Sequence, residues 1–72
     1  MNYWNIYKDV WNFHKKYSDV QATDKYWDDV INESNELGRK YNSRFASALI
    51  IAVLEELEQI CKEMEQNAIS GV

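Results

Sequence analysis

The clearest candidates for chemistry in this 72-residue chain are two repeated carboxylate spacings, Glu33-x-x-Glu36 and Glu55-x-x-Glu58. Four carboxylates on two adjacent helices can hold a magnesium ion and support nucleotide hydrolysis, because hard cations take oxygen ligands. Such a site needs all four side chains to converge. By helical periodicity, however, Glu33 and Glu36 lie away from Trp27, Val30 and Leu37, and Glu55 and Glu58 lie away from Leu49, Val53 and Ile60. With 12 acidic residues such spacings arise easily. They imply solvated helix faces, and neither a metal nor another cofactor is expected.

His14 is the only histidine and Cys61 the only cysteine. Histidine suits proton transfer near neutral pH, but no serine or cysteine nucleophile stands at a recognisable motif to work with it. Cys61 falls on an apolar helix face, where thiols are usually inert packing groups. One cysteine and one histidine also exclude an intrachain disulfide and a Cys/His zinc set. The expectation is a protein that is not an enzyme.

Arg39, Lys40 and Arg44 cluster around Asn42-Ser43 with Tyr41 and Phe45 interleaved, a pattern suited to phosphate contacts with base stacking. Three observations weigh against nucleic acid as the main partner. The formal net charge of −4 repels phosphate backbones. Basic residues at the end of a helix also complement its dipole, and the helix that follows is too apolar to lie in a major groove. A small nucleic-acid-associated regulator built on these three residues is the alternative role, and a metal-dependent nucleotide hydrolase ranks below it.

The elements that must position these residues can be found without the usual punctuation, since proline is absent and glycine occurs only at Gly38 and Gly71. Apolar periodicity and capping residues predict three helices, over about 2–19, 24–41 and 44–66, with a frayed tail over 67–72. Thr23 or Asp24 can cap the second helix and Ser43 the third. Gly38 is expected inside the second helix, because Trp27, Val30, Ile31, Ser34, Leu37 and Tyr41 continue through it.

Two helices carry more apolar surface than a minimal core uses. On the first, Tyr3, Ile6, Val10, Phe13, Tyr17 and Val20 form one stripe, and Trp4, Tyr7, Trp11 and His14 form a second beside it. On the third, Leu49, Val53, Leu57, Ile60 and Met64 make a seam flanked by Ile50, Leu54 and Cys61, with Ile51 nearly opposite. The candidate interface residues are therefore Trp4, Tyr7, Trp11, His14, Ile50 and Leu54. A chain of this length buries only about 60% of its unfolded surface, and its core supplies roughly 3–5 kcal/mol. A second copy is the commonest way to cover a surplus face.

The runs Tyr3-Trp4-Asn5-Ile6-Tyr7-Lys8-Asp9-Val10-Trp11-Asn12-Phe13-His14-Lys15-Lys16-Tyr17, Tyr26-Trp27 and Tyr41-Asn42-Ser43-Arg44-Phe45 resemble a group of small uncharacterised helical proteins from prophages and mobile elements of Firmicutes. The resemblance covers roughly residues 3–58. It implies a genomic setting, with no activity, ligand or site residue to carry over.

The expected fold is thus all-α, a single three-helix bundle-like domain over 1–72, homodimeric through its surplus faces. The expected role is a non-catalytic interaction or accessory module that binds itself or a host or phage protein. The start Met1-Asn2-Tyr3-Trp4, with Lys8 and Asp9 close behind, lacks the basic start and apolar run of a secretion signal. The longest apolar stretch, Phe45 to Leu54 with Ser47 inside it, is about half the roughly 20 residues that span a bilayer. A cytoplasmic location without membrane contact is expected.

Overall fold

Each helix of the chain begins at a side chain that accepts a hydrogen bond from a backbone N–H the helix cannot satisfy itself. In the computed structural model, which describes the backbone of residues 2–70 and the side-chain surroundings of residues 2–66, these caps are Asn2, Thr23 and Ser43. Asn2 Oδ1 accepts from Asn5 N at 3.3 Å, Thr23 Oγ1 from Tyr26 N at 3.2 Å and Ser43 Oγ from Ala46 N at 3.1 Å. They open α1 (Tyr3–Lys16), α2 (Asp24–Tyr41) and α3 (Arg44–Ser70), and no strand occurs among the described residues.

The turn between α2 and α3 is closed by Asn42, whose backbone sits in the left-handed region at φ 42 and ψ 49. Asparagine tolerates that conformation better than other residues with a Cβ. Its N–H donates to the Gly38 carbonyl at 2.8 Å, satisfying one of the last free acceptors of α2. Gly38 lies inside the helix, as its spacing predicts.

Two boundaries differ from expectation. α1 stops at Lys16 rather than near Asp19, because Ser18 Oγ donates to the Lys15 carbonyl at 2.9 Å and competes with the helical pattern. The chain then folds back, so Val20 reaches the core from the connection and not from a helix. The Tyr26 hydroxyl donates to the Tyr17 carbonyl at 2.6 Å and ties that connection to α2. At the other end, α3 extends through Ser70, beyond the expected end near 66; residues 71 and 72 of the expected frayed tail lie outside the described residues.

The three helices pack up, down and up, so α1 and α3 run parallel and share an end, where the Tyr3 and Phe45 rings meet. Ile6, Val10 and Phe13 enter the core from α1, Tyr26 and Val30 from α2, and Ala46, Ile50, Val53, Leu57 and Cys61 from α3. Two predicted faces are therefore rotated. On α2, Tyr26 is buried while Ile31 is exposed; on α3, the centre of the core runs through Ile50 rather than Leu49. Ser34 is the one buried polar residue among those described, and its hydroxyl is satisfied by the Ile31 carbonyl at 2.8 Å.

At 1.5 Å per residue α3 is about 40 Å long, against about 21 Å for α1 and about 27 Å for α2. Its last turns therefore run beyond both partners, and the molecule measures 50 × 19 × 17 Å. No helix among the described residues is long and apolar enough to cross a membrane.

The interior glycine yields the first testable consequence. A Cβ built at Gly38 meets nothing within 4 Å, so Gly38→Ala should stabilise the fold by about 1 kcal/mol through helix propensity alone. Urea denaturation should show a raised midpoint with an unchanged slope.

Candidate functional site

α1 presents two unlike faces to its surroundings, and the polar one fixes where the aromatic one points. Asp9 and Lys16 are seven residues apart on α1, and Glu33 and Lys40 are seven apart on α2. Antiparallel packing sets acid against base at both levels, with Lys40 Nζ 2.7 Å from Asp9 Oδ2 and Lys16 Nζ 2.9 Å from Glu33 Oε1. The Tyr41 hydroxyl also donates to Asp9 Oδ2 and lies 3.0 Å from the Asn5 carbonyl.

The charges at these latches respond as their partners dictate. The Lys40 ammonium and the Tyr41 hydroxyl hold the Asp9 carboxyl below its ordinary value of 3.8. Asp9 in turn raises both Lys40 and Tyr41, and Glu33 raises Lys16. Glu33, expected on a solvated face, is instead half-buried with Asp9 in the groove between α1 and α2.

Opposite that groove, Tyr3, Trp4, Tyr7 and Trp11 are 55%, 69%, 51% and 58% exposed. The Tyr3 and Tyr7 rings meet Phe45 of α3 edge-on, at centroid distances of 5.1 and 5.5 Å. Trp11 meets the half-buried His14 ring at 6.2 Å, and Lys15 Nζ lies 6.0 Å from the Trp11 ring. Edge-to-face packing of this kind orders the rings relative to one another. Tyr3, Tyr7 and Phe45 thus form one ordered cluster across α1 and the start of α3, and Trp11 with His14 another.

Of the six candidate interface residues, Trp4, Tyr7, Trp11 and His14 come together on this surface and the other two do not. Ile50 is only 5% exposed and belongs to the core, so its place on a surplus face is corrected; Leu54 is half-buried against the same core. The physical reason is the rotation of α3, which turns Ile50 inward and leaves Ile51 outward. Tyr3 and Phe45 are the members that periodicity missed. Tyr3 shares a face with Ile6 and Val10 but sits in the first turn, where no further turn of α1 covers it. Its spacing of four from Tyr7 was the available signal.

The remaining candidates stay apart. Lys40 is engaged by Asp9, whereas Arg39 lines the separate groove between α2 and α3, and Arg44 is exposed at the start of α3. Glu55 and Glu58 are exposed on α3, away from Glu33. Among the described residues no three of His, Cys, Asp or Glu are grouped as metal ligands. The thiol of Cys61 is free and buried. No family model, curated protein or solved structure matches this chain.

The Asp9 latch predicts a pH dependence with a definite sign. A depressed carboxyl contributes stability above its unfolded value and loses it as pH falls through the folded one, hence below 3.8. Raised Tyr41 and Lys40 contribute fully below 10.0 and 10.5 and lose that contribution as pH climbs through their folded values. The latch is therefore complete from about pH 4 to about pH 10. Between about pH 5 and about pH 3 the urea midpoint should fall further for the wild type than for Asp9→Asn, which has no carboxyl to protonate.

Proposed function

We propose that this chain is a non-catalytic interaction protein that works as a homodimer, with the aromatic face of α1 as its contact surface. The observation that carries the reading is the exposure of Tyr3, Trp4, Tyr7 and Trp11 together on one face, each by more than half. Tryptophan and tyrosine dominate binding energy at protein contacts, because they bury much area for little lost side-chain freedom. Scattered exposed apolar residues are ordinary, but four adjoining aromatics are a patch, and patches mark contacts.

The magnitude is in the right range. An aromatic side chain covers roughly 150–250 Å². At about 25 cal/mol per Å², covering the exposed parts of these four is worth on the order of 10 kcal/mol. Association itself costs about 4–15 kcal/mol, so one patch alone barely suffices. A two-fold axis applies every contact twice.

A role as an accessory or regulatory module, with a host or phage protein as further partner, agrees with the resemblance to chains of mobile elements. A single free thiol suits a reducing cytoplasm, which is where we place the protein.

Sedimentation equilibrium over a wide concentration range tests this reading. The wild type should sediment as a dimer, and Trp11→Asp should be a monomer of unchanged helicity, since Trp11 lies outside the core. A wild type that stays monomeric at high micromolar concentration overturns the proposal.

A further inference from the structure

α3 carries its core-facing stripe past the end of the bundle. Ala46, Ile50, Val53, Leu57 and Cys61 are buried at helical spacing, and Met64 is the next position on that face, yet it is 43% exposed. α1 and α2 are too short to reach it. At about 100° per residue, Glu63 and Glu65 flank Met64 on its two sides, and both are exposed. Neither has a cationic partner among the described residues; their contacts are with Gln59 and Cys61. A helix end without packing is marginal in water, because most helical stability comes from an apolar face laid against a neighbour.

The aromatic face has the complementary make-up. Lys8 and Lys15 lie beside Trp4 and Trp11 on the wheel, both are exposed, and neither pairs with a carboxylate among the described residues. α1 carries Lys8, Lys15 and Lys16 against the single acid Asp9, whereas α3 from Glu55 onward carries five glutamates against Lys62. The lengths agree as well. Trp4 to Trp11 spans about 10 Å of helix, and Ile60 to the end of α3 about 15 Å.

We propose that the aromatic face of α1 is occupied by the projecting end of α3 from a second copy, with Met64 on the Trp4, Tyr7 and Trp11 rings and Glu65, on the flank that antiparallel packing turns toward the lysine side of that stripe, against Lys8 and Lys15. This rests on the reading of that face as a self-association surface. Thioether sulfur packs favourably at aromatic ring edges. Because α1 and α3 are parallel within a chain, a two-fold axis across α3 makes the two copies antiparallel and lays each projecting end along the other's α1. The contact is reciprocal and closed, so it ends at two copies rather than growing into a filament.

Charge reversal with complementation tests it on the full chain. Lys8→Glu with Lys15→Glu, and separately Glu65→Lys, should each weaken the dimer at least about tenfold, since like charges then face each other. Circular dichroism should show both variants still helical. An equimolar mixture should form a heterodimer close to wild-type strength, because every reversed pair then meets its opposite. Neutral glutamine variants at the same three positions supply a second measurement, and their dimer should lose the salt dependence of the wild type. If Glu65→Lys dimerises as the wild type does, the projecting helix is not the occupant, while self-association through α1 stands. Failure of the mixture to recover also overturns the pairing. A monomeric wild type removes both this pairing and the reading beneath it.

Discussion

A 27-residue helix must be covered here by partners of 14 and 18 residues, and that difference in length governs the whole molecule. The N-terminal half of α3 is apolar almost all round, so it takes the central place and draws one stripe from each of the other helices. Ile6, Val30 and Leu57, one from each helix, are the largest fully buried side chains. Beyond Cys61 the same stripe continues to Met64, which is 43% exposed. Hydrophobic burial scales with the area removed from water, so the chain's largest unused contribution sits at its ends.

The two ends are unused in different ways. At one, Phe45 begins α3 just where α1 also begins, and Tyr3 and Tyr7 lean on it without being buried by it. At the other, Met64 is the described apolar residue of the stripe that stays partly exposed. An aromatic surface with lysines beside it and an apolar helix edge with glutamates beside it are unlike in character and complementary in charge. A monomer of this shape cannot bring its own two ends together, because a straight helix separates them by about 40 Å. Only a second molecule can.

How much of this was legible follows from which signals are local. Caps are local, so Thr23, Ser43 and the turn at Asn42 stood in the residue types, as did the continuation of α2 through Gly38. The surplus on α1 was also legible, since Trp4, Tyr7 and Trp11 share a stripe that Ile6, Val10 and Phe13 do not need. Rotation of a helix about its axis is not local. On α3, where Leu49, Ile50 and Ile51 are all apolar, periodicity cannot say which one faces inward, and the structure chooses Ile50. The ion pairs were hidden for the same reason: Asp9 lies 31 residues from Lys40, and only the antiparallel match of two seven-residue spacings reveals them.

Those ion pairs have a consequence for the aromatic face. Exposed salt bridges contribute little stability, typically below about 1 kcal/mol, so the latches at Asp9 and Lys16 are poor candidates for holding the fold together. Their position matters more than their strength. Both lie on the side of α1 opposite Trp11, two turns apart, and each meets a fixed partner on α2. Hydrophobic packing is non-directional, and a helix with apolar side chains around half its circumference could bury Trp4, Tyr7 and Trp11 instead of Ile6, Val10 and Phe13. Rolling α1 that way would carry Asp9 and Lys16 away from Lys40, Tyr41 and Glu33 and give up both ion pairs and the Tyr41 hydrogen bond at once. The polar groove thus selects one of two possible cores, and the one it selects leaves the aromatic residues outside.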